Sequence, residues 1–333
     1  VRTWEDALAE AAEAAGSELR LEPAVGNGDH PRPPLGHLVE QAHQARLRRR
    51  VQIAQPVDDQ AAPARPRNVV LVLQESVRTD VACTDPEQPS CGLATPFSHA
   101  VVPGRMPLHQ MRANASTTAI SISTIWSGVS PTESRELLHR VPLLWDYAAS
   151  AGYDTAYWTS QNLMFGNART YVQDLPLGHG AVATHLDPHA DLDAGCHDDL
   201  LSAHVGEGWG ALREPFFAVV HFSNVHYPYV QEDALSPFPP WAFAKDTHRN
   251  EEFFQFYMNV AYRSDLAVAE ALRTIRASPA GPRTVVLFTS DHGESFREHW
   301  QMGHTSAIYD EEILVPTWID APDGTLSPEE RAA

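Results

Sequence analysis

Four short apolar runs set the tightest limit on what this chain can fold into. They are NVVLVLQ at 68–74, YDTAYWT at 153–159, FFAVVHF at 216–222 and TVVLFTS at 284–290. The first is a continuous apolar, β-branched segment, and the others resemble it. Such runs suit strands buried on both faces. Helical patterns lie between them, at 142–151 and from about 252 to 277. Strands alternating with helices predict an α/β fold: a mostly parallel sheet with helices on both faces. Ligands of such sheets sit beyond the carboxyl ends of the strands.

Those ends carry the chemistry. The first run stops on Glu75 and Ser76, the third leads through HFSNVHYPY to His226, and the last stops on Asp291 and His292 in SDHGES. Taken singly, each has an ordinary explanation: a solvated or capping carboxylate, a satisfied histidine, a turn. Together, two acids and one or more imidazoles at one sheet edge point to a divalent cation. The imidazole favours zinc, with Mg, Mn or Ca as alternatives for a carboxylate-rich site. A second stretch, ANASTTAISISTIWSGVSP at 113–131, is rich in hydroxyls and closes on Gly128 and Pro131. It predicts a helix whose first turn contains Ser116, Thr117 and Thr118. A helix N-terminus favours anions, and a hydroxyl there becomes a good nucleophile when a metal lowers its pKa. Plain capping of an ordinary helix is the alternative.

The chain has 333 residues and a net charge of −19, from 24 basic and 43 acidic residues. Its one basic cluster is Arg46, Arg48, Arg49 and Arg50, so no nucleic-acid partner is expected. No apolar run approaches the roughly 20 residues needed to cross a bilayer. The first residue is Val1, and a cut or processed chain is expected, with any membrane anchor outside it. Cys83 and Cys91 flank CTDPEQPSC and either close a disulfide, as an oxidising compartment allows, or stay as two thiols. Residues 3–18 and 36–53 read as helices and 56–67 as a linker. The expected division is therefore a helical N-terminal segment and linker over 1–67 and a main domain over 68–333.

In this order the motifs resemble the alkaline phosphatase/sulfatase superfamily: Glu-Ser after a strand, a hydroxyl at a helix start, a histidine in NVHYPY, then SDHGES and His304. Within it the chain looks most like the lipid A phosphoethanolamine transferases, with the lipoteichoic acid synthases as cousins. The similarity runs from about Asn68 to Thr317. It implies an alkaline phosphatase/sulfatase-like catalytic domain over 68–333. It also implies metal ligands Glu75, Thr118, Asp291 and His292, and a Thr118 nucleophile in TAIS. Gly128, ten residues on, agrees with the sulfatase spacing. His226 and His304 become catalytic and substrate-side histidines, and Asn162 in YWTSQN becomes a substrate contact.

What the resemblance implies is a zinc-dependent phosphotransferase with one metal site and room for a second. It would form a phospho-threonine and move a phospholipid headgroup, of phosphoethanolamine or phosphoglycerol type, to an acceptor hydroxyl. Its partners would be a phospholipid or other phosphoester donor and a glycan or lipid acceptor. Its location would be extracytoplasmic, periplasmic or at the cell surface, with membrane contact through a segment outside this chain. The alternatives are a phosphodiesterase-, phosphatase- or sulfatase-like hydrolase using water, and a non-catalytic metal- or glycan-binding relative. The chain also departs from its relatives. The sulfatase C-x-P-x-R positions hold Thr118, Ile120 and Ile122, so sulfate-ester cleavage through formylglycine is not expected. The transferases' lysine after the Trp-Asn segment is missing, with Arg169 as a substitute. Cys196 resembles half of a disulfide whose partner is absent. Relatives also continue beyond the VPTWI strand, so truncation at the C-terminus is expected.

Overall fold

The computed structural model describes residues 67–326, apart from 88–90, 92, 135–136, 138–139, 165–167, 230–234, 244–246 and 306. The helices expected at 3–18 and 36–53, and all of the linker but Arg67, lie outside the described residues.

The elements follow in chain order as β1 (Asn68–Gln74), α1 (Pro96–Val101), β2 (Met106–Pro107), α2 (Thr118–Ser127), α3 (Leu144–Ser150), β3 (Asp154–Thr159) and β4 (His179–Ala181). Then come α4 (Asp198–Gly208), β5 (Phe216–Phe222), α5 (Asn250–Ala277), β6 (Thr284–Ser290), a small β7–β8 pair (Ser295–Phe296, Met302–Gly303) and β9 (Thr317–Asp320). Short helical turns complete the described chain. The main sheet runs β2-β9-β6-β1-β5-β3-β4. The four pairings from β6 through β1, β5 and β3 to β4 are parallel, while β9 pairs antiparallel with both β6 and β2. The α/β, mostly parallel expectation holds, with an antiparallel edge.

Alternation along a strand sends successive side chains to opposite faces. Val70 and Val72 join Ala218, Val220 and Val286 against Leu201 of α4 and Val268, Leu272 and Ile275 of α5. Leu71 and Leu73 join Tyr157 and Val219 on the other face, against Ile122 and Trp126 of α2 and Trp145 of α3. Both faces are therefore covered, which is why the strands read as unbroken apolar runs. Trp145 is the hub of the second face. Its ring meets Trp126 and Tyr157 edge-on, each at 5.3 Å between centroids, and its indole N–H donates to Ala156 O at 2.9 Å.

The register sets the functional edge. Gln74 lies opposite both Phe222 and Ser290, so β1, β5 and β6 end level and the residues after them emerge side by side. The buried Asp198 at the start of α4 ties this edge together. It accepts from Ser160 Oγ at 2.6 Å after β3, from Ser223 N at 3.2 Å after β5 and from Ser264 Oγ at 2.7 Å on α5.

The start of α2 differs from expectation. The helix begins at Thr118, and Thr117 is an extended cap at φ −134 and ψ 122. Ser116 stays outside because its groups are claimed elsewhere: its backbone carbonyl accepts from Thr305 N at 2.8 Å and its side-chain hydroxyl donates to Ala307 O at 2.5 Å. The helix stops at Gly128, whose left-handed φ of 68 closes the last turn onto Thr124 O. Cys83 and Cys91 are joined in a disulfide. Cys196 is a buried thiol, pushed up to about 12 by burial and then by the Asp198 and Asp187 carboxyls. Among the described residues, no helix is long and apolar enough to cross a membrane.

Trp145 packs α2 and α3 onto the sheet, so Trp145→Ala is expected to cost about 3–5 kcal/mol of stability in urea titrations. A loss below about 1 kcal/mol, typical of ordinary substitutions, would contradict this packing.

Candidate active site and metal centre

Glu75 is the first residue beyond β1, and its side chain is completely buried. The backbone turns sharply after it: Ser76 has a φ of 59, unusual for a non-glycine residue. Two bonds hold that conformation. Ser76 N donates to Asp291 Oδ1 at 3.0 Å, and Tyr257 Oη donates to Ser76 O at 2.7 Å. The strained residue thus links the end of β1 to the end of β6.

Asp291 and His292 follow β6 and are also completely buried. The glycine after them has a steric reason: a Cβ on Gly293 would lie 2.2 Å from Glu311 O. Its own N–H donates to Glu312 O at 2.7 Å, fixing the approach of the two segments. His292 Nδ1–H donates to Gly293 O at 2.8 Å, which turns Nε2 toward Glu75 Oε1 at 3.2 Å. Asp291 Oδ1 accepts from two backbone N–H groups, at residues 76 and 292. Its Oδ2 is buried with no hydrogen-bond partner and lies 3.4 Å from His292 Nε2.

Thr118 is the first residue of α2 and faces this cluster. Its hydroxyl donates to Glu75 Oε1 at 2.7 Å and lies 3.0 Å from His292 Nε2. The structure therefore brings Glu75, Thr118, Asp291 and His292 into one contact group.

Burying two carboxylates beside one imidazole separates their proton affinities. Burial, and then the Glu75 charge, push Asp291 up to about 7. Burial opposes the charged form of His292, but Asp291 and Glu75 outweigh it and raise that imidazole to about 10. Burial likewise opposes the charge on Glu75, yet bonds from His221 and His292 and the charges of His292 and His226 hold it well below the usual carboxylate range. The two carboxylates thus favour the protonated form of His292.

The remaining expected residues fall in three groups. The His304 ring lies tilted against that of His292, with centroids 4.3 Å apart, and the His226 ring lies 5.3 Å from that of His304. These two flank the cluster on one side. Burial, and then a balance of neighbouring charges, lower the pKa of His226. Asn162 is buried beside the same edge but spends its amide on backbone: it donates to Asp191 O at 3.2 Å and accepts from Met164 N at 3.1 Å. Arg169 opens a short helical turn with its side chain exposed, outside the cluster.

Three neighbours carry no role in the sequence reading. Gln161 Nε2 donates to Glu75 Oε2 at 3.4 Å. His221 Nε2 lies 3.7 Å from the same oxygen, and its Nδ1 lies 3.2 Å from Thr159 Oγ1. Both oxygens of Glu294, which is 1% exposed, lie 3.3 Å from His304 Nδ1. His221 sits inside an apolar run and reads as a core histidine. Gln161 adjoins Asn162, and Glu294 follows Asp-His-Gly, so proximity to named residues was the available signal.

The residues fit a divalent cation. One ligand atom from each of Glu75, Asp291 and His292 lies within 4.8 Å of the others. The unpartnered Asp291 Oδ2 gives an independent sign, since a buried carboxylate oxygen without a partner is costly. With the Thr118 hydroxyl, the donors are two carboxylates, one imidazole and one alcohol.

The family model described as Sulfatase matches residues 67–332. A curated relative, the Delta 4,5-hexuronate-2-O-sulfatase of Bacteroides thetaiotaomicron, is 22% identical over 272 residues, 70% of this chain. The chain spans 53% of the length of that relative. Two solved structures share the fold. The soluble domain of lipooligosaccharide phosphoethanolamine transferase A from Neisseria meningitidis superposes with a TM-score of 0.62 at 18% identity, covering 79% of each chain. The C-terminal periplasmic domain of EcEptC from Escherichia coli, in complex with Zn, gives 0.63 at 17% identity, covering 78% of this chain and 74% of the other.

Cation binding is expected to strengthen as pH rises. Asp291 and His292 both hold protons to higher pH than usual, and a cation must displace them. Titrating zinc into chelator-treated protein by calorimetry should give a Kd that falls from pH 5.5 to 8, and Asp291→Asn should weaken binding at least about tenfold. A Kd that is flat with pH and unchanged in the variant would rule the cluster out as the binding site.

Proposed function

The chain belongs to the sulfatase family, and from that membership we propose that it transfers a phosphoryl-linked group through a phospho-threonine formed on Thr118. The observation that carries this reading is the position of the Thr118 hydroxyl. It stands at the N-terminus of α2, 2.7 Å from Glu75 Oε1 and 3.0 Å from His292 Nε2. A helix start attracts the anionic ester. The acidic and imidazole neighbours favour a cation beside the hydroxyl.

Glu75, Asp291, His292 and the Thr118 oxygen would hold the cation. The imidazole, and the zinc named for the Escherichia coli structure, favour zinc. When bound, zinc would lower the pKa of the Thr118 hydroxyl and offset charge on the phosphoryl oxygens. The chain's own groups then act in order. Thr118 Oγ1 attacks phosphorus, and the bond from phosphorus to the departing alcohol's oxygen breaks. His226 or His304 gives that alkoxide a proton, and the proton that Thr118 gives up passes to solvent. An acceptor hydroxyl then attacks the phospho-threonine, the same histidine takes its proton, and the bond from phosphorus to Thr118 Oγ1 breaks, releasing an alkoxide that takes a proton back from solvent. Glu294, at 3.3 Å, orients His304 by accepting from Nδ1. Gln161 and His221 steady the second oxygen of Glu75.

The lipooligosaccharide named for the Neisseria meningitidis structure supports a lipid-linked substrate, and the periplasmic domain named for the Escherichia coli structure supports an extracytoplasmic site. The curated sulfatase relative favours a second reading, in which water is the acceptor and the chain is a hydrolase. Thr118 in place of a formylglycine precursor argues for phosphoryl rather than sulfuryl chemistry. Product analysis with a phospholipid donor separates the readings: transfer moves the headgroup to an added acceptor, and hydrolysis frees it.

Thr118→Ala is expected to abolish both turnover of a nitrophenyl phosphoester and the covalent adduct seen by intact-mass analysis, with an unchanged circular-dichroism spectrum. Near-native activity in this variant would exclude Thr118 as nucleophile. His226→Ala and His304→Ala should each lose on the order of 10²- to 10⁴-fold in rate while retaining the metal. Loss of metal in either variant would make that histidine a ligand instead.

A further inference from the structure

A slot opens directly off the Thr118 hydroxyl, and its walls are at odds with a charged headgroup. Its cavity volume is about 160 Å³. Its apolar walls are Ala119, Ile122 and Trp126 of α2 and Ala168 from the segment after β3, and Thr117, Ser123, Gln161, His304 and Thr305 complete the lining around Thr118. Among the described residues, no aspartate, glutamate, lysine or arginine lines it. The nearest carboxylates are already engaged. Glu75 holds the Thr118 hydroxyl and the His292 imidazole, and Glu294 lies behind His304.

An ammonium group entering this slot would lose its water and gain no carboxylate, a large penalty. An uncharged apolar group meets the opposite balance: it leaves water for a ready-made apolar wall. The size also suits it, since an engineered apolar cavity of about 150 Å³ accommodates benzene.

We propose that this slot takes an uncharged, largely apolar substituent of the phosphoryl group, about one aromatic ring or a short branched alkyl chain in size. Aminoethyl-type headgroups are then disfavoured at this position. The inference rests on the phosphoryl-transfer reading for where the phosphorus sits, and it adds the substrate class. The selecting residues are Ala119, Ile122, Trp126 and Ala168. They act by shape and by the absence of charge.

The test is binding of two stable phosphonates to zinc-supplemented protein, measured by calorimetry at pH 7.5. Phenylphosphonate carries one uncharged ring, and 2-aminoethylphosphonate carries an ammonium of similar reach. Both present the same phosphonate to the same site, so the difference reports the slot. Phenylphosphonate should bind at least about tenfold tighter, a difference of about 1.4 kcal/mol. Ala168→Leu fills the slot from a half-buried position and should bring the two affinities within about threefold of each other, as the ring loses its space. A thermal melt checks that this variant folds, and Ala119→Leu replaces it if it does not. Equal affinities in the native protein, or tighter binding of the aminoethyl compound, overturn the slot inference and leave Thr118 chemistry standing. Failure of both phosphonates to bind overturns the phosphoryl reading and the slot with it. Selective phosphonate binding by a native protein that is inactive in the nitrophenyl phosphoester assay sustains the slot and removes the transfer reading.

Discussion

Two carboxylates and an imidazole share one fully buried site, and most of the local architecture answers to that. Unneutralised charge in a protein interior is expensive, and a pair of adjacent carboxylates more so. Here the His292 imidazole sits between Glu75 and Asp291, and backbone N–H groups occupy one oxygen of Asp291. The other oxygen is left without a hydrogen-bond partner. The left-handed backbone at Ser76 and the side-chain-free position at Gly293 are the means by which these charges are packed so closely. Strain at such positions persists only when surrounding structure holds it. Tyr257 and the paired ends of β1 and β6 supply that hold.

The sheet makes this arrangement rigid. Three parallel strands ending level bring Glu75, the loop toward His226, and Asp291 to one edge, with both faces buried behind them. The Trp126–Trp145–Tyr157 group locks α2 against the sheet, so the Thr118 hydroxyl is placed by core packing and not by a mobile loop. Asp198 clamps the ends of β3 and β5 to α5. Catalytic geometry needs positioning to about 0.5 Å, which elements of this kind provide better than loops.

The net charge of −19 would work against the anionic substrate proposed above at long range. Screening limits that effect to about 8 Å at physiological salt, so on the proposed reading recognition would fall to local groups. Those would be the α2 N-terminus, His226 and His304, and a cation in the acidic cluster. An uncharged substituent in the apolar slot would add affinity without adding to the charge that the site must neutralise.

The sequence by itself determined the sheet and the identities of the residues gathered at its edge. Unbroken β-branched runs are legible because both faces of each strand are buried, and a strand that stops on Glu, or on Asp-His-Gly, marks its end in the text. Of the positions named from sequence, Glu75, Thr118, Asp291, His292, His226 and His304 come together; the strand ends pointed to Glu75, His226, Asp291 and His292, and the family resemblance added Thr118 and His304. What only the tertiary structure decided were contacts between segments far apart in the chain. Ser116 is excluded from α2 because Thr305 takes its carbonyl and Ala307 its hydroxyl. Asn162 turns to the backbone at 190–191, while its neighbour Gln161 reaches Glu75. His221, written inside an apolar strand, faces a carboxylate because β1 and β5 pair in that register. The physical reason is common to all three: a residue's type and local pattern specify its element and its face, but which polar partner it meets depends on how separate elements pack.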